Sequence, residues 1–341
     1  MRRFLCAALA VLLLFLSAGC SGPSAKDAPA VRELFAMDTY MTLTCYGENA
    51  EEALDAAEAE IRRLDALLST GSPDSEVSRL NRDGGGELSE DTLALVKAAL
   101  AAYEDTGGAF DITVLPLMEL WGFPSGALHV PSDEELAQAL AVTGSGRLSL
   151  GGNILSLEPG TEIDLGGIAK GYASARLMDL FRSFGVEHAI VSLGGNVQCL
   201  GAKPDGSLWR CGIRDPEAEK ADELAGILTV RDTAVITSGP YERKLTDPDT
   251  GQAYHHILDP STGRPADTGL ASVTIVSGDG TLADALSTAC FVMGPEKAEA
   301  FWRERPETFD MILILADGSM LVTEGIAGAF SSSRSFTVIR E

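Results

Sequence analysis

Between residues 31 and 46 apolar and polar positions alternate, a period of two that predicts a β-strand with one buried face. At residue 49 the period changes. Ala50, Ala53, Leu54, Ala57, Ile61, Leu64 and Leu68 recur at helical spacing with Glu and Arg between them, so an amphipathic helix is predicted over 49–68. The same spacing predicts helices over 90–106 and 132–142, punctuated by glycine clusters at 84–86, 107–108 and 144–152. Further helices are predicted at about 169–184, 281–293 and 296–304. Short strand-like runs fall at 188–193, 208–214, 226–230, 233–237, 270–277, 310–316 and 319–323, and Gly318 closes a hairpin between the last two. Strands and helices do not alternate strictly. That order points to an α+β fold with a mixed or antiparallel sheet rather than a doubly wound one. No tandem repeat, linker or low-complexity block interrupts 31–341, which reads as a single globular domain.

Composition adds two constraints. The formal charge of -24 over 341 residues excludes sequence-independent nucleic-acid binding, which needs a basic face. An anionic ligand would need lysines, a helix N-terminus or a divalent cation placed locally. The first residues, MRRFLCAALAVLLLFLSAGC, carry two arginines, an apolar run too short for a good membrane span, and small residues before Cys20. Leu-Ser-Ala-Gly-Cys resembles a bacterial lipobox, with Ser17 standing where an aliphatic is usual. Residues 1–19 therefore read as a lipoprotein signal peptide, Cys20 as the lipidated residue, and 20–30 as a polar tether. The expected location is the extracytoplasmic face of the cell membrane, through a lipid anchor. Cys45, Cys199, Cys211 and Cys290 are widely spaced and lie in apolar contexts, so they read as small core residues rather than a zinc site.

Four segments could carry chemistry. In EIDLGGIAKGYA (162–173), Ile163 and Leu165 read as the end of a buried strand, and Gly166 and Gly167 let the chain turn tightly or approach a ligand. The helix that follows presents its N-terminus with Lys170 in the first turn, an arrangement suited to an anion. The pattern is neither Walker A nor GxGxxG, and a structural turn and a phosphate cradle both stay open. In LADALST (282–288), Asp284 and Thr288 share a helix face and are hard oxygen ligands suited to Mg²⁺; a carboxylate serving the helix dipole is the bland account. YHHILDPSTGRP (254–265) joins His255 and His256 to a turn, and one of them could act as acid or base near neutrality. GGAFDIT (107–113) could seat a flat ring or simply pack.

Taken in order, these segments resemble the ApbE family of flavin transferases. The similarity runs from about Phe35 to Gly294 and includes Met37-Asp-Thr39, PDSEVSRLN (73–81), GGAFDITVLPLMELWGF (107–123), IDLGGIAKGYA, VSLGGNV (191–197), ITSGPYER (236–243), HHILDPSTGRP and ADALSTA. The resemblance implies an exported enzyme that takes FAD as substrate with Mg²⁺ as cofactor. It would join FMN through a phosphoester to a threonine or serine of an acceptor protein and release AMP. Acceptors of the family are subunits of membrane redox complexes with a motif like Asp-x-x-(Ser/Thr)-Gly-(Ala/Ser)-(Thr/Ser). Carried over by motif, Met37, Gly108, Ala109, Phe110, Asp164, Lys170, His256 and Ile257 would line the FAD site. Asp284, Thr288 and the carbonyl of Gly167 would hold the metal.

Lys170 would stabilise developing charge, and His256 or Asp284 would take the proton of the acceptor hydroxyl. Two further readings remain: a Mg²⁺-dependent FAD pyrophosphatase with water as acceptor, and a flavin-binding lipoprotein without chemistry. Four positions depart from the family pattern. Asp38 replaces glycine, Gly71 replaces a common aromatic, Ala175 stands where Asp is frequent, and Pro240 replaces a residue that is often acidic. Asp247-Pro-Asp-Thr-Gly251 and Asp259-Pro-Ser-Thr-Gly263 match the start of the acceptor motif and lose its end, so both read as turns.

Overall fold

The computed structural model describes residues 28–341 except 219, 221 and 222; the predicted signal peptide and Cys20 lie outside them. The principal element is a nine-stranded sheet whose spatial order follows the chain. Its strands are β1 (Ala30–Ala36), β2 (Thr39–Tyr46), β3 (His188–Leu193), β4 (Asn196–Leu200), β5 (Ala234–Ser238), β6 (Leu270–Ser277), β7 (Asp310–Leu315), β8 (Met320–Thr323) and β9 (Thr337–Ile339). Every neighbouring pair is antiparallel except β8 and β9, which run parallel. The expected α+β architecture is therefore present, as a meander with long insertions between neighbouring strands. Helices Ala50–Leu68, Glu90–Asp105 and Ala169–Ser183 lie between β2 and β3. Gly280–Met293 and Pro295–Arg303 lie between β6 and β7.

The sheet is covered on both faces, which explains why its later strands read as continuous apolar runs. Met311 and Leu313 of β7 pack with Phe291 and Trp302 of the helices, whereas Ile312 and Ile314 pack with Trp209, Leu228 and Phe330 of a small three-stranded sheet. The helix over 50–68 buries the predicted stripe, Ala50, Ala53, Leu54, Ala57, Ile61, Leu64 and Leu68, against Met41, Leu43 and Cys45 of β2. All four described cysteines are free and buried, as expected of small core residues. Among the described residues no helix is long and apolar enough to cross a membrane.

Three local expectations need correction. The single strand over 31–46 is a hairpin, turned by Met37 (φ 49°) and Asp38 (φ 57°). Two successive left-handed residues match the strand twist in a two-residue loop, a shape usually signalled by Asn-Gly. Ile163 and Leu165 are buried but form no strand. Asn81 takes the place of a neighbouring strand there, donating to the Ile163 carbonyl (2.9 Å) and accepting from its N–H (2.8 Å). Strand β4 was not predicted, because buried Asn196 and Gln198 place amides on a face that should be apolar.

Candidate active site

Two helices cross where the sheet's insertions meet. A β-carbon on Gly171 would collide with the Gly280 carbonyl and lie 2.5 Å from the Asp284 β-carbon; one on Gly280 would lie 2.9 Å from the Gly171 carbonyl. Glycine at both positions lets the N-terminal ends of the two helices touch. Asp279 caps the second helix, accepting from Thr281 (2.8 Å) and Leu282 (3.2 Å). Asp284 is therefore spared that duty. It lies one turn further along, buried at the crossing, and its Oδ2 accepts from the Gly171 N–H at 2.7 Å. The helix N-terminus expected to face an anion thus holds a carboxylate of its own chain.

Burial pushes the Asp284 carboxyl above the usual carboxylate range, and Lys170 opposes that push. Asp164 shows the same balance: burial raises its affinity for a proton, while the Gly166 N–H at 2.8 Å, Lys170 and Arg243 favour the charged form. Lys170 is thus the shared counter-charge of two partly or fully buried acids. Thr288, one turn beyond Asp284, lies 3.4 Å from the Ser238 hydroxyl, which also reaches Ser287 at 2.7 Å. The β-carbon position of Gly167 is 4.0 Å from Thr288 Oγ1 and 3.2 Å from the Phe110 ring. Gly167 and Thr288 are therefore neighbours, and Thr288 shares a helix face with Asp284.

No group of three or more His, Cys, Asp or Glu side chains able to hold a metal exists among the described residues. One carboxylate, one hydroxyl and one carbonyl is a sparse oxygen set. It suits Mg²⁺, which keeps several waters and takes substrate phosphates rather than a full protein cage. The buried side-chain amide of Asn196 lies beside the same carboxylate, short of full hydrogen-bond geometry. The residues present fit the ion.

His256 stands on the insertion between β5 and β6. Its Nδ1 lies 3.0 Å from the Arg243 carbonyl. A carbonyl only accepts, so Nδ1 carries the proton and Nε2 keeps its lone pair. Burial, reinforced by Lys170 and Arg243, pulls its pKa down to about 4. The ring is neutral at physiological pH and can accept a proton. Arg243 in turn donates to Asp38 at 3.4 Å, tying this insertion to the tip of the β1–β2 hairpin. Neither Arg243 nor Asn196 was singled out in the sequence; only their place inside ITSGPYER and VSLGGNV marked them.

The predicted flavin-lining residues divide. Met37, Gly108 and Ala109 are partly exposed, whereas Phe110 and Ile257 are buried, with Phe110 packed behind Gly167. Gly107 (φ 60°) and Gly108 (φ 86°) turn the chain in left-handed conformations. Buried Asp111 then anchors that loop, accepting from the Thr113 N–H and hydroxyl at 2.8 and 2.6 Å and from the Ser145 N–H and hydroxyl at 3.0 and 2.7 Å. Gly71 is exposed and puts no ring toward the site. The two acceptor-like segments are turns, closed by Gly251 N–H to Asp247 O and Gly263 N–H to Asp259 O, both 2.8 Å.

The chain resembles known proteins over most of its length. The chain is 35% identical over 331 residues to an FAD:protein FMN transferase of Vibrio cholerae, covering 93% of this chain and 96% of that one. It is 32% identical over 339 residues to the Treponema pallidum protein of the same name, covering 93% and 92%. Among solved structures, the ApbE protein of Thermotoga maritima superposes with a TM-score of 0.83 at 36% identity, covering 89% of this chain and 99% of that one. The flavin transferase ApbE of Vibrio cholerae gives 0.79 at 30% identity, with the same coverage. The ApbE family model matches residues 37–313, and the chain belongs to that family.

Proposed function

We propose that this protein is a Mg²⁺-dependent FAD:protein FMN transferase, anchored at the extracytoplasmic face of the membrane by a lipid on Cys20. The observation that carries the reading is the convergence of Asp284, Thr288 and Gly167 beside Lys170, with neutral His256 on the facing insertion. Asp284, Thr288 and the Gly167 carbonyl would hold Mg²⁺, which neutralises charge on the pyrophosphate oxygens when bound. Met37, Gly108, Ala109, Asp164 and Ile257 would border FAD, with Phe110 backing the glycine turn.

Lys170 faces the charge that builds as the bond between the two phosphates breaks. Nε2 of His256 takes the proton of the acceptor hydroxyl as its oxygen bonds the FMN phosphorus, and AMP leaves with the other phosphate. Asp284 is the less accessible base, since its carboxylate is enclosed at the helix crossing, already bonded to Gly171 and assigned to the metal. The acceptor would be a subunit of a membrane redox complex presenting serine or threonine in the Asp-x-x-(Ser/Thr)-Gly-(Ala/Ser)-(Thr/Ser) pattern.

The test combines purified protein, FAD, Mg²⁺ and a domain bearing that pattern. Mass spectrometry of the acceptor should show addition of FMN with matching AMP. Free FMN and AMP without adduct would instead establish hydrolysis. Unchanged FAD would sink both. Asp284→Ala should lower either activity more than about a hundredfold.

A further inference from the structure

Asn196 opens β4 immediately after Gly194 (φ 63°) and Gly195 (φ 95°). These two glycines form the two-residue loop of the β3–β4 hairpin, with Leu193 and Asn196 paired across it. A β-carbon on Gly194 would strike Thr39, so the turn is pressed against the start of β2. The strand therefore begins at a fixed place. Residues two apart on it share a face, and Gln198 shows which face that is. Its Oε1 accepts from Ser174 Oγ at 2.7 Å, on the helix over 169–183. Asn196 thus points toward the same crossing of helices as Gln198, and not toward the small sheet.

Its chemistry there is incomplete. Asn196 is 2% exposed, and its Nδ2 meets no acceptor at full hydrogen-bond geometry, although the Asp284 carboxylate lies beside it. A buried amide donor without an acceptor bears the full cost of its lost hydration, so such groups are rare and call for an acceptor. The acceptor at hand is the Asp284 carboxylate, buried at the same helix crossing and within reach of the amide. Asp284 already receives the Gly171 N–H on Oδ2. A metal-bound carboxylate needs one lone pair directed at the ion and its other positions held from behind, the duty of outer-shell donors.

We propose that Asn196 is a positioning residue, whose amide is the side-chain donor that, beside the main-chain N–H groups of Gly171 and Lys170, fixes the Asp284 carboxylate in the orientation from which it takes the metal. The inference rests on the metal reading of Asp284, and its test separates the two. Asn196→Leu keeps the branched shape and removes the donor; Asn196→Ser restores a smaller donor. Mn²⁺ binding to the full-length protein, followed by electron paramagnetic resonance without FAD or acceptor, should weaken about 10–100-fold in the leucine variant. The serine variant should recover part of that loss, and Asp284→Ala should abolish binding.

Affinity within twofold of the parent in Asn196→Leu, with Asp284→Ala still abolishing binding, would overturn the role of Asn196 alone. Unchanged binding in Asp284→Ala would overturn the metal site itself. If the leucine variant does not fold, the parent protein still answers. Asn49, Asn81, Asn153 and Asn196 are its only asparagines, so side-chain ¹⁵N labelling of asparagine gives four assignable amides. Diamagnetic Mg²⁺ should shift the Asn196 amide and slow its exchange with solvent; an amide indifferent to Mg²⁺ would overturn the proposal.

Discussion

The floor and the wall of the site are built by opposite means. The floor, around Asp284, is two helices in contact through Gly171 and Gly280, with a buried carboxylate bonded to a main-chain N–H. Nothing there moves without parting a helix pair. The wall, around His256, is an insertion tied to the tip of the β1–β2 hairpin by a bond between Arg243 and an Asp38 side chain that is 85% exposed. Rigid packing places the residue that would orient phosphate. A neutral imidazole, on an insertion that buries Ile257 and Leu258 in the core but meets the hairpin through an exposed ion pair, places the residue that would move a proton. Substitutions of the wall's exposed or partly exposed polar side chains, Asp38 and His256, should therefore change rate with little cost in stability, and substitutions in the floor should change both.

The largest effect expected from the wall is that of His256→Gln. Losing a general base lowers turnover about 10²–10⁴-fold, while the melting temperature and Mg²⁺ affinity should stay near those of the parent. A variant that keeps more than a tenth of the parent rate would remove His256 from the chemistry. The pH profile sharpens the same claim. The folded-state pKa of His256 lies below the ordinary histidine value, so the neutral, competent form persists well below pH 6.5 and is lost only toward about 4. The acid limb of kcat/KM should show no break near 6.5. Linkage has a matching sign: His256 contributes stability above pH 6.5 that is lost as pH falls through the window between 6.5 and about 4. A break in rate at ordinary histidine pH would assign the base elsewhere.

In the floor, Gly171→Ala should register in both measurements. The added carbon meets the Gly280 carbonyl and the Asp284 side chain, and overpacking of this kind costs roughly 1–3 kcal/mol. Thermal melts should show the loss, and Mg²⁺ affinity should fall with it because Asp284 is displaced. Retention of both would mean that the helix crossing is more yielding than its contacts imply.

Much of this was legible beforehand, and the reason differs between elements. The helix over 50–68 was readable because seven apolar residues mark one face; Asp284 and Thr288 were readable because a helix puts residues four apart together. What escaped depended on partners distant in sequence. Asn81 replaces a strand beside Ile163, 82 residues away, and no local pattern announces that. Strand β4 hid because Asn196 and Gln198 look exposed in sequence, yet lie beneath the helices. The β1–β2 turn hid because Met-Asp is poor turn chemistry. Arg243 serves through its main-chain carbonyl, a group every residue has, so its side chain carried no signal for that bond.

The smallest expected effect tests how far the wall depends on its link to the hairpin. Asp38 occupies a left-handed position that glycine adopts without strain, so Asp38→Gly removes the carboxylate while favouring the turn. Its bond to Arg243 is exposed, and exposed pairs contribute about 0–1 kcal/mol. The two changes oppose each other, and the melting temperature should hardly move. The Arg243 carbonyl that orients His256 belongs to the main chain and survives the substitution, so turnover should fall no more than about threefold, within the reach of a 1 kcal/mol change. High salt should mimic the variant in the parent protein, because screening weakens the same pair. A loss greater than tenfold, at unchanged stability, would show that the guanidinium must be held for the carbonyl to aim the imidazole, and the wall would then be as tightly specified as the floor.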